Sequence, residues 1–428
     1  MIEWYNKAKG GDVMRSKKTF MPGTLVVGVD ISKNTHVASA QAIGSQQLAF
    51  SDFSFENTTV SYEGLLSKIS GLGHVNCVIG LEPTGHYWEN FAYYLRKKSM
   101  KMVFVNPLFT RRMKDIEDNT PGKTDSKDSR IITSLMLQGK ILNWAVPIGV
   151  YAELRPLSNI REQICRDLIR KANQLHSYID RLFPGFSDSF CNLLQQTPLY
   201  LAKRYPTAAE FLAEDTDKLI QQVARVSRGC LGHDRIMLLK EKALLAQEVT
   251  EGTEALKVSL RTILAQIIYL KKQQRQIERR LTERLKEVPY AQYLLSIKGL
   301  GEVRLACILG ETGDLKEFSS SCELIKFAGL NLYEISSGQH KGKRHISKRG
   351  RSLLRKQLYL AVLSMIKQNG ILFNEYQESV AKGKVKMRVM IALMRKLLRI
   401  LFALARKERY FQKDYDRLTE NYLMQVGG

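Results

Sequence analysis

Leu25-Val26-Val27-Gly28-Val29-Asp30 decides how this chain is read. A β-branched apolar run that closes on an acid predicts a buried strand with a carboxylate at its end. Downstream, residues 35–40 and 48–53 read as two more strands and predict a meander with the first. Residues 59–70 have a helical pattern. Asn76-Cys77-Val78-Ile79-Gly80-Leu81 forms a fourth strand and ends at Glu82. A helix over 87–99, a fifth strand over 101–105 and a helix over 128–137 follow, the last after a polar loop. This order predicts a mixed α/β domain over 24–150. Residues 1–23 are polar and basic and read as a leader extension.

The remainder is helical in pattern. Residues 151–182 carry apolar positions at helical spacing and stop at Pro184-Gly185. Residues 187–230 read as short helices. Leu, Ile and Ala recur at three-to-four spacing over 232–288, which predicts one or two long helices, as a hairpin, a coiled coil or a plain bundle segment. The helical middle is thus 151–290. A compact C-terminal segment runs over 291–415, and 416–428 is a tail.

The chain has 428 residues, and 44% are hydrophobic, enough for a sizeable core. A wholly disordered protein is excluded. The 66 Lys and Arg outweigh 42 Asp and Glu, giving a net charge of +24. That balance favours a polyanionic partner, above all nucleic acid. No apolar run is long enough to span a bilayer, so no membrane role is expected. The six cysteines, at 77, 165, 191, 230, 307 and 322, form no CxxC pair or Cys/His cluster, which argues against a zinc finger. No GxGxxG or GxxxxGK[ST] loop is present, which argues against a dinucleotide cofactor or an ATPase. No apolar signal segment precedes Thr24, and cytoplasmic residence is the expectation.

Four acids form the first candidate site. Asp30 and Glu82 each end an apolar strand, where α/β sites form. Asp125 and Asp128 lie in Lys123-Thr124-Asp125-Ser126-Lys127-Asp128-Ser129, and three-residue spacing gives them one helix face if a helix begins there. Converging carboxylates repel unless cations sit between them. Hard oxygen donors suit Mg²⁺ or Mn²⁺, and two such ions about 4 Å apart support phosphoryl transfer. Each acid also has a structural alternative as a turn residue, a cap or a dipole partner. His36 and His86 read as structural or substrate-contact residues, and Lys33 and Lys123 as phosphate contacts.

The second candidate site lies near the C-terminus. Lys298-Gly299-Leu300-Gly301 before an apolar helix is suited to a helix-hairpin-helix-like phosphate contact, with a tight interhelical turn as the alternative. Between Ile335 and Asn374 there are nine Lys or Arg and no acid, and from Val380 to Lys407 again nine and none. Two acid-free basic blocks with apolar residues at helical spacing predict folded helices that contact a phosphate backbone. Lys341, Lys343, Arg344, Lys348, Arg349 and Arg351 are the candidate contacts. Ser337 beside Gly338 is a candidate nucleophile, although no general base neighbours it in sequence.

With these motifs assembled, the chain resembles the IS110/IS1111-type insertion-sequence transposases, also called DEDD transposases or recombinases. The N-terminal match is Val27-Gly28-Val29-Asp30, Glu82-Pro83-Thr84-Gly85 and Lys123-Thr124-Asp125-Ser126-Lys127-Asp128. The C-terminal match is Gly299-Leu300-Gly301, Phe327-Ala328-Gly329-Leu330, Ser337-Gly338, Ile346-Ser347-Lys348-Arg349-Gly350 and Arg395-Lys396-Leu397-Leu398. It covers about residues 24–410.

The resemblance implies a RuvC-like, RNase H-like N-terminal domain whose four acids, here Asp30, Glu82, Asp125 and Asp128, bind Mg²⁺. It implies a mainly helical C-terminal domain whose nucleophilic serine falls at Ser337, with Ser336 as the neighbouring alternative. That serine would form a covalent 5′-phosphoserine link with DNA. It also implies composite sites between subunits of a homodimer or homotetramer, double-stranded DNA substrates at the element ends and target, and a noncoding bridge RNA as guide. The chain departs from the family in its leader and in an enlarged middle over about 185–290. The competing expectations are a Holliday-junction resolvase or site-specific invertase using the same acids, and a non-catalytic nucleic-acid-binding protein.

Overall fold

β1 (Leu25–Asp30) forms as its composition dictates and is buried along almost its whole length. β2 (Thr35–Ala42) and β3 (Leu48–Glu56) extend it as an antiparallel meander. After α1 (Thr59–Gly71), β4 (Cys77–Leu81) returns parallel to β1. α2 (Trp88–Lys97) leads to β5 (Lys101–Val105), parallel to β4. α3 (Pro107–Glu117), α4 (Asp125–Leu137) and the short antiparallel β6 (Ile141–Leu142) complete the unit. The sheet order is β3-β2-β1-β4-β5-β6. This computed structural model describes residues 20–117, 125–142, 146–334, 344–368 and 370–412, apart from the side chains of 115, 117, 125 and 126.

The chain divides into two compact units, Met1–Val146 and Pro147–Gly428. In the first, strand alternation splits the core in two. Leu25, Val27, Val29, Ile79 and Leu81 face a cluster with Tyr62, Leu65, Phe91 and Leu95 of α1 and α2. Val26 and Val78 face the other way, under Ile131, Ile132, Leu135 and Met136 of α4. Coverage on both faces explains why β1 and β4 are near-continuous apolar runs. Phe20, ahead of Thr24, packs beside the α4 cluster.

The second unit is helical. α5 (Val150–Leu182) precedes α6 (Gln196–Arg204), α7 (Ala208–Leu212), α8 (Thr216–Ser227) and α9 (His233–Leu244). α10 (Thr253–Leu285) follows. The hairpin expected within 232–288 is formed differently, because the partner of α10 is α5. Arg284 pairs with Glu153 at 2.6 Å and Arg161 with Glu278 at 2.7 Å, the descending order of an antiparallel pair. At 33 residues, each of these helices is about 50 Å long. One core joins one end of this pair, the C-terminal half of α5 and the N-terminal half of α10, to α6–α9. A second core joins its other end to the C-terminal helices. These are α11 (Ala291–Leu295), α12 (Glu302–Thr312), α13 (Ser321–Phe327), α14 (Ser352–Met365), α15 (Phe373–Ala381) and α16 (Lys386–Lys407). A two-stranded sheet, β7 (Leu332–Tyr333) with β8 (His345–Ile346), lies between α13 and α14 in sequence. Among the described residues, no helix is long and apolar enough to cross a membrane.

Candidate active site and nucleic-acid surface

The acidic site follows from strand register. Gly28 pairs with Gly80 and Val29 with Leu81 across parallel strands. Asp30 and Glu82 are therefore the next neighbours, one strand spacing apart at the carboxyl ends. Period-two alternation gives them the same face as Val26, Gly28, Val78 and Gly80, which is the face under α4.

α4 approaches this face closely because the sheet has no side chains there. A Cβ on Gly28 would lie 2.5 Å from the Thr133 backbone nitrogen, and one on Gly80 2.0 Å from Met136 Sδ. The Gly28 N–H donates to Thr133 Oγ1 at 3.1 Å, and the Ser39 and Ser129 hydroxyls are 2.7 Å apart. Small buried residues on α4 thus seat its first turn over the strand ends. Asp125 opens that helix and Asp128 follows three residues later. The side chain of Asp125 lies outside the described residues.

Burial raises the carboxyl pKa of Glu82. The nearby Thr110 and Lys114 side chains oppose that rise, and the Asp128 carboxylate adds to it. Lys114 of α3 forms an ion pair with Asp128. The Thr110 hydroxyl is buried and lacks full hydrogen-bond geometry with any described group. Among the described residues, no three His, Cys, Asp or Glu side chains converge as a metal-binding group. The Asp128 and Lys114 charges both act on Glu82, and Lys114 pairs directly with Asp128.

The sequence reading missed α3 and with it Thr110 and Lys114. Asn106-Pro107 was the available signal, since Asn106 Oδ1 accepts from the Leu108 N–H at 3.0 Å and Pro107 starts the helix. His36 is structural. It is fully buried among Phe55, Tyr62 and Phe91, and burial lowers its pKa. His86 and Lys33 are exposed, and Lys123 lies outside the described residues.

In the second unit, Ser337 and its neighbour Ser336 fall between β7 and β8, with Lys341 and Lys343, all outside the described residues. The flanks are described and firmly joined. Ser347 N–H donates to the Asn331 carbonyl at 2.9 Å, and Lys348 N–H to the Gly329 carbonyl at 3.0 Å. A Cβ on Gly350 would lie 2.4 Å from the Phe327 carbonyl oxygen. The motifs 327–330 and 346–350 are therefore two sides of one tight structure. Lys348 adopts φ +52, which is strained for a side-chain-bearing residue.

The basic candidates divide by their partners. Lys348 and Arg349 are exposed. Arg344 pairs with Glu334 at 2.9 Å. Arg351 turns inward, pairing with buried Glu311 at 3.3 Å and lying over Phe327. Lys298, Gly299 and Gly301 are exposed at the turn before α12, where Gly299 has φ +96.

Comparison with known proteins places this architecture in the transposase class. A family model described as a transposase, of the DEDD IS110 type, matches residues 27–184. A second, described as the transposase IS116/IS110/IS902 family, matches residues 291–377. The pilin gene-inverting protein of Moraxella bovis is 33% identical over 399 residues, covering 90% of this chain and 97% of that protein. The insertion element IS110 43.6 kDa protein of Streptomyces coelicolor is 22% identical over 326 residues, covering 74% of this chain and 78% of that protein. The IS116 44.8 kDa protein of Streptomyces clavuligerus is 24% identical over 295 residues, covering 68% of this chain and 73% of that protein. The chain belongs to the IS110-type transposase family.

Proposed function

We propose that this transposase exchanges DNA strands through a covalent phosphoserine step that depends on a divalent metal. The observation that carries the reading is the register-matched pair Asp30 and Glu82 on the face under α4, close enough to Asp128 for its charge to act on Glu82. The strand order, a meander followed by parallel β4 and β5, supports an RNase H-like reading of the first unit. The turn from α11 to α12 supports the helix-hairpin-helix-like reading.

The donor set fits a hard divalent cation. Asp30, Glu82, Asp125 and Asp128 would hold Mg²⁺ or Mn²⁺ through carboxylate oxygens, and Lys114 already supplies positive charge to Asp128. When bound, such a cation supplies charge stabilisation at a scissile phosphate. Ser337 supplies the nucleophile. Its oxygen bonds to phosphorus as the P–O3′ bond breaks, its proton passes to a general base, and the departing O3′ takes up a proton to leave as the 3′-hydroxyl. A second 3′-hydroxyl reverses the step and joins a new strand, so the ester conserves the bond and no ATP is required. Lys348 and Arg349 steady the phosphates. A homodimer or homotetramer and a noncoding bridge RNA complete this reading.

The test is an SDS-resistant protein–DNA adduct, formed with the element ends and flanking noncoding DNA and mapped by peptide analysis. An adduct at Ser337 that is absent in Ser337→Ala and Asp125→Ala supports the reading. Discrete cuts that need only the acids would replace it with metal-dependent hydrolysis. The 33% identity to a protein named for pilin gene inversion supports a second reading, inversion of a fixed DNA segment. Inverted rather than inserted products would select it.

A further inference from the structure

The turn joining α15 to α16 breaks several local rules at once. Residues 381–388 are all exposed. Lys382, Lys384, Lys386 and Arg388 fall within seven residues that include no acid. Among the described residues, none of these four side chains has an ion-pair or hydrogen-bond partner. Lys386 and Arg388 lie in the first turn of a 22-residue helix, where the positive end of the dipole disfavours cations. Between the cations, Val385 and Met387 expose 59% and 54% of their surface to water.

The turn is nonetheless well built. Gly383 has φ +75, its N–H donates to the Val380 carbonyl at 2.9 Å, and the Lys384 N–H donates to the Ser379 carbonyl at 3.2 Å. This pair of bonds is the Schellman closure of a helix end. Lys396 ties α16 to Glu375 of α15 at 2.7 Å, and Val389 and Met390 are buried directly below the tip. A rigid base thus presents cations and apolar side chains that the fold does not use. Local rules fail in this way where a site serves a partner.

The partner must offer dense negative charge on both sides of an apolar slot. The minor groove of duplex DNA has sugar-phosphate walls, and apolar side chains such as Met can wedge between its base steps and kink it. An A-form RNA duplex has a wide, shallow minor groove lined by 2′-hydroxyls and fits less well. We infer that residues 382–388 form a wedge for duplex DNA. The four cations contact phosphates on either side of the minor groove, and Val385 and Met387 enter a base step. The inference rests on the DNA-recombinase reading but concerns an element beyond residue 377, where the second family match ends.

The test uses the full chain, a three-turn DNA duplex labelled at both ends, and an RNA duplex of the same sequence. One variant carries Lys384→Gln and Lys386→Gln, the other Val385→Ser and Met387→Ser. All four positions are exposed, and circular dichroism checks the fold. The charge variant should lower the slope of log affinity against log salt by about 1.8, from two lost phosphate contacts. The apolar variant should keep the slope and lose the DNA bend seen by energy transfer between the end labels. An unchanged slope in the first, or an unchanged bend in the second, overturns the wedge. Losses confined to the RNA duplex also overturn it, by assigning the turn to an RNA partner. Wild-type protein without salt-dependent DNA binding would sink the parent reading and the wedge together. Normal wild-type binding with unaffected variants would sink the wedge alone.

Discussion

Gly28→Ala tests whether close helix-on-sheet approach seats the acidic site. A Cβ there would lie 2.5 Å from Thr133 N and Oγ1 and 2.7 Å from the Ser129 carbonyl oxygen, where ordinary contact begins at 3.4 Å. The nearest atoms include helix backbone, so α4 itself must move by nearly 1 Å. Overpacking costs about 1–3 kcal/mol. Distortion of the Gly28 N–H bond to Thr133 adds about 1 kcal/mol, for a total near 2–4 kcal/mol. Gly80→Ala is the control. Its Cβ would lie only 2.0 Å from Met136 Sδ, but that atom belongs to a flexible side chain that can rotate away. It should cost about 1–2 kcal/mol. Adding Met136→Ala should relieve Gly80→Ala, whereas Thr133→Ala should not relieve Gly28→Ala, because the backbone clash remains.

The assay is a urea titration of the full chain followed by tryptophan fluorescence. Trp88 is buried in the core of the first unit, and the sequence has no tryptophan beyond residue 144, so the signal follows that unit. Because α4 carries Asp125 and Asp128, a 1 Å shift should also slow DNA strand cleavage by about 100-fold. A Gly28→Ala cost below about 0.5 kcal/mol, or below that of Gly80→Ala, would refute the reasoning.

Three further outcomes are expected. Because burial raises the Glu82 pKa, its favourable contribution is present below its ordinary value near 4.5 and is lost as pH rises through the raised value. Glu82→Gln should therefore stabilise the first unit at neutral pH, with the difference fading below about pH 4.5 in tryptophan-monitored urea titrations. Tyr290→Phe removes a buried hydroxyl that accepts from Tyr151 at 2.9 Å and from the Leu315 N–H at 3.0 Å and donates to Asp314 at 2.8 Å. It should cost about 1–3 kcal/mol in circular-dichroism unfolding of the helices. Lys348→Gly relieves the φ of +52, so stability should hold within about 1 kcal/mol while DNA affinity and its salt slope fall; unchanged affinity would make Lys348 a turn residue only.

The sequence alone determined the five principal strands, since β1 and β4 are buried on both faces and show it as continuous apolar runs. It also located Asp30 and Glu82 at strand ends, because period-two alternation and chain termination are local properties. It marked the basic C-terminal segment by the absence of acids. What it could not supply were relations between distant residues. α3 was missed because its polar, basic composition gives a weak apolar stripe, although Asn106-Pro107 marked its start. α10 was recognised as a long helix, but its pairing with α5 depends on contacts more than a hundred residues apart in sequence. Lys114 became part of the acidic site only through tertiary packing. Arg351 read as a surface cation until Glu311 and Phe327 proved to hold it inward. Periodicity and composition are written in neighbouring residues. The partner of a charge or of a helix face is chosen by the folded chain.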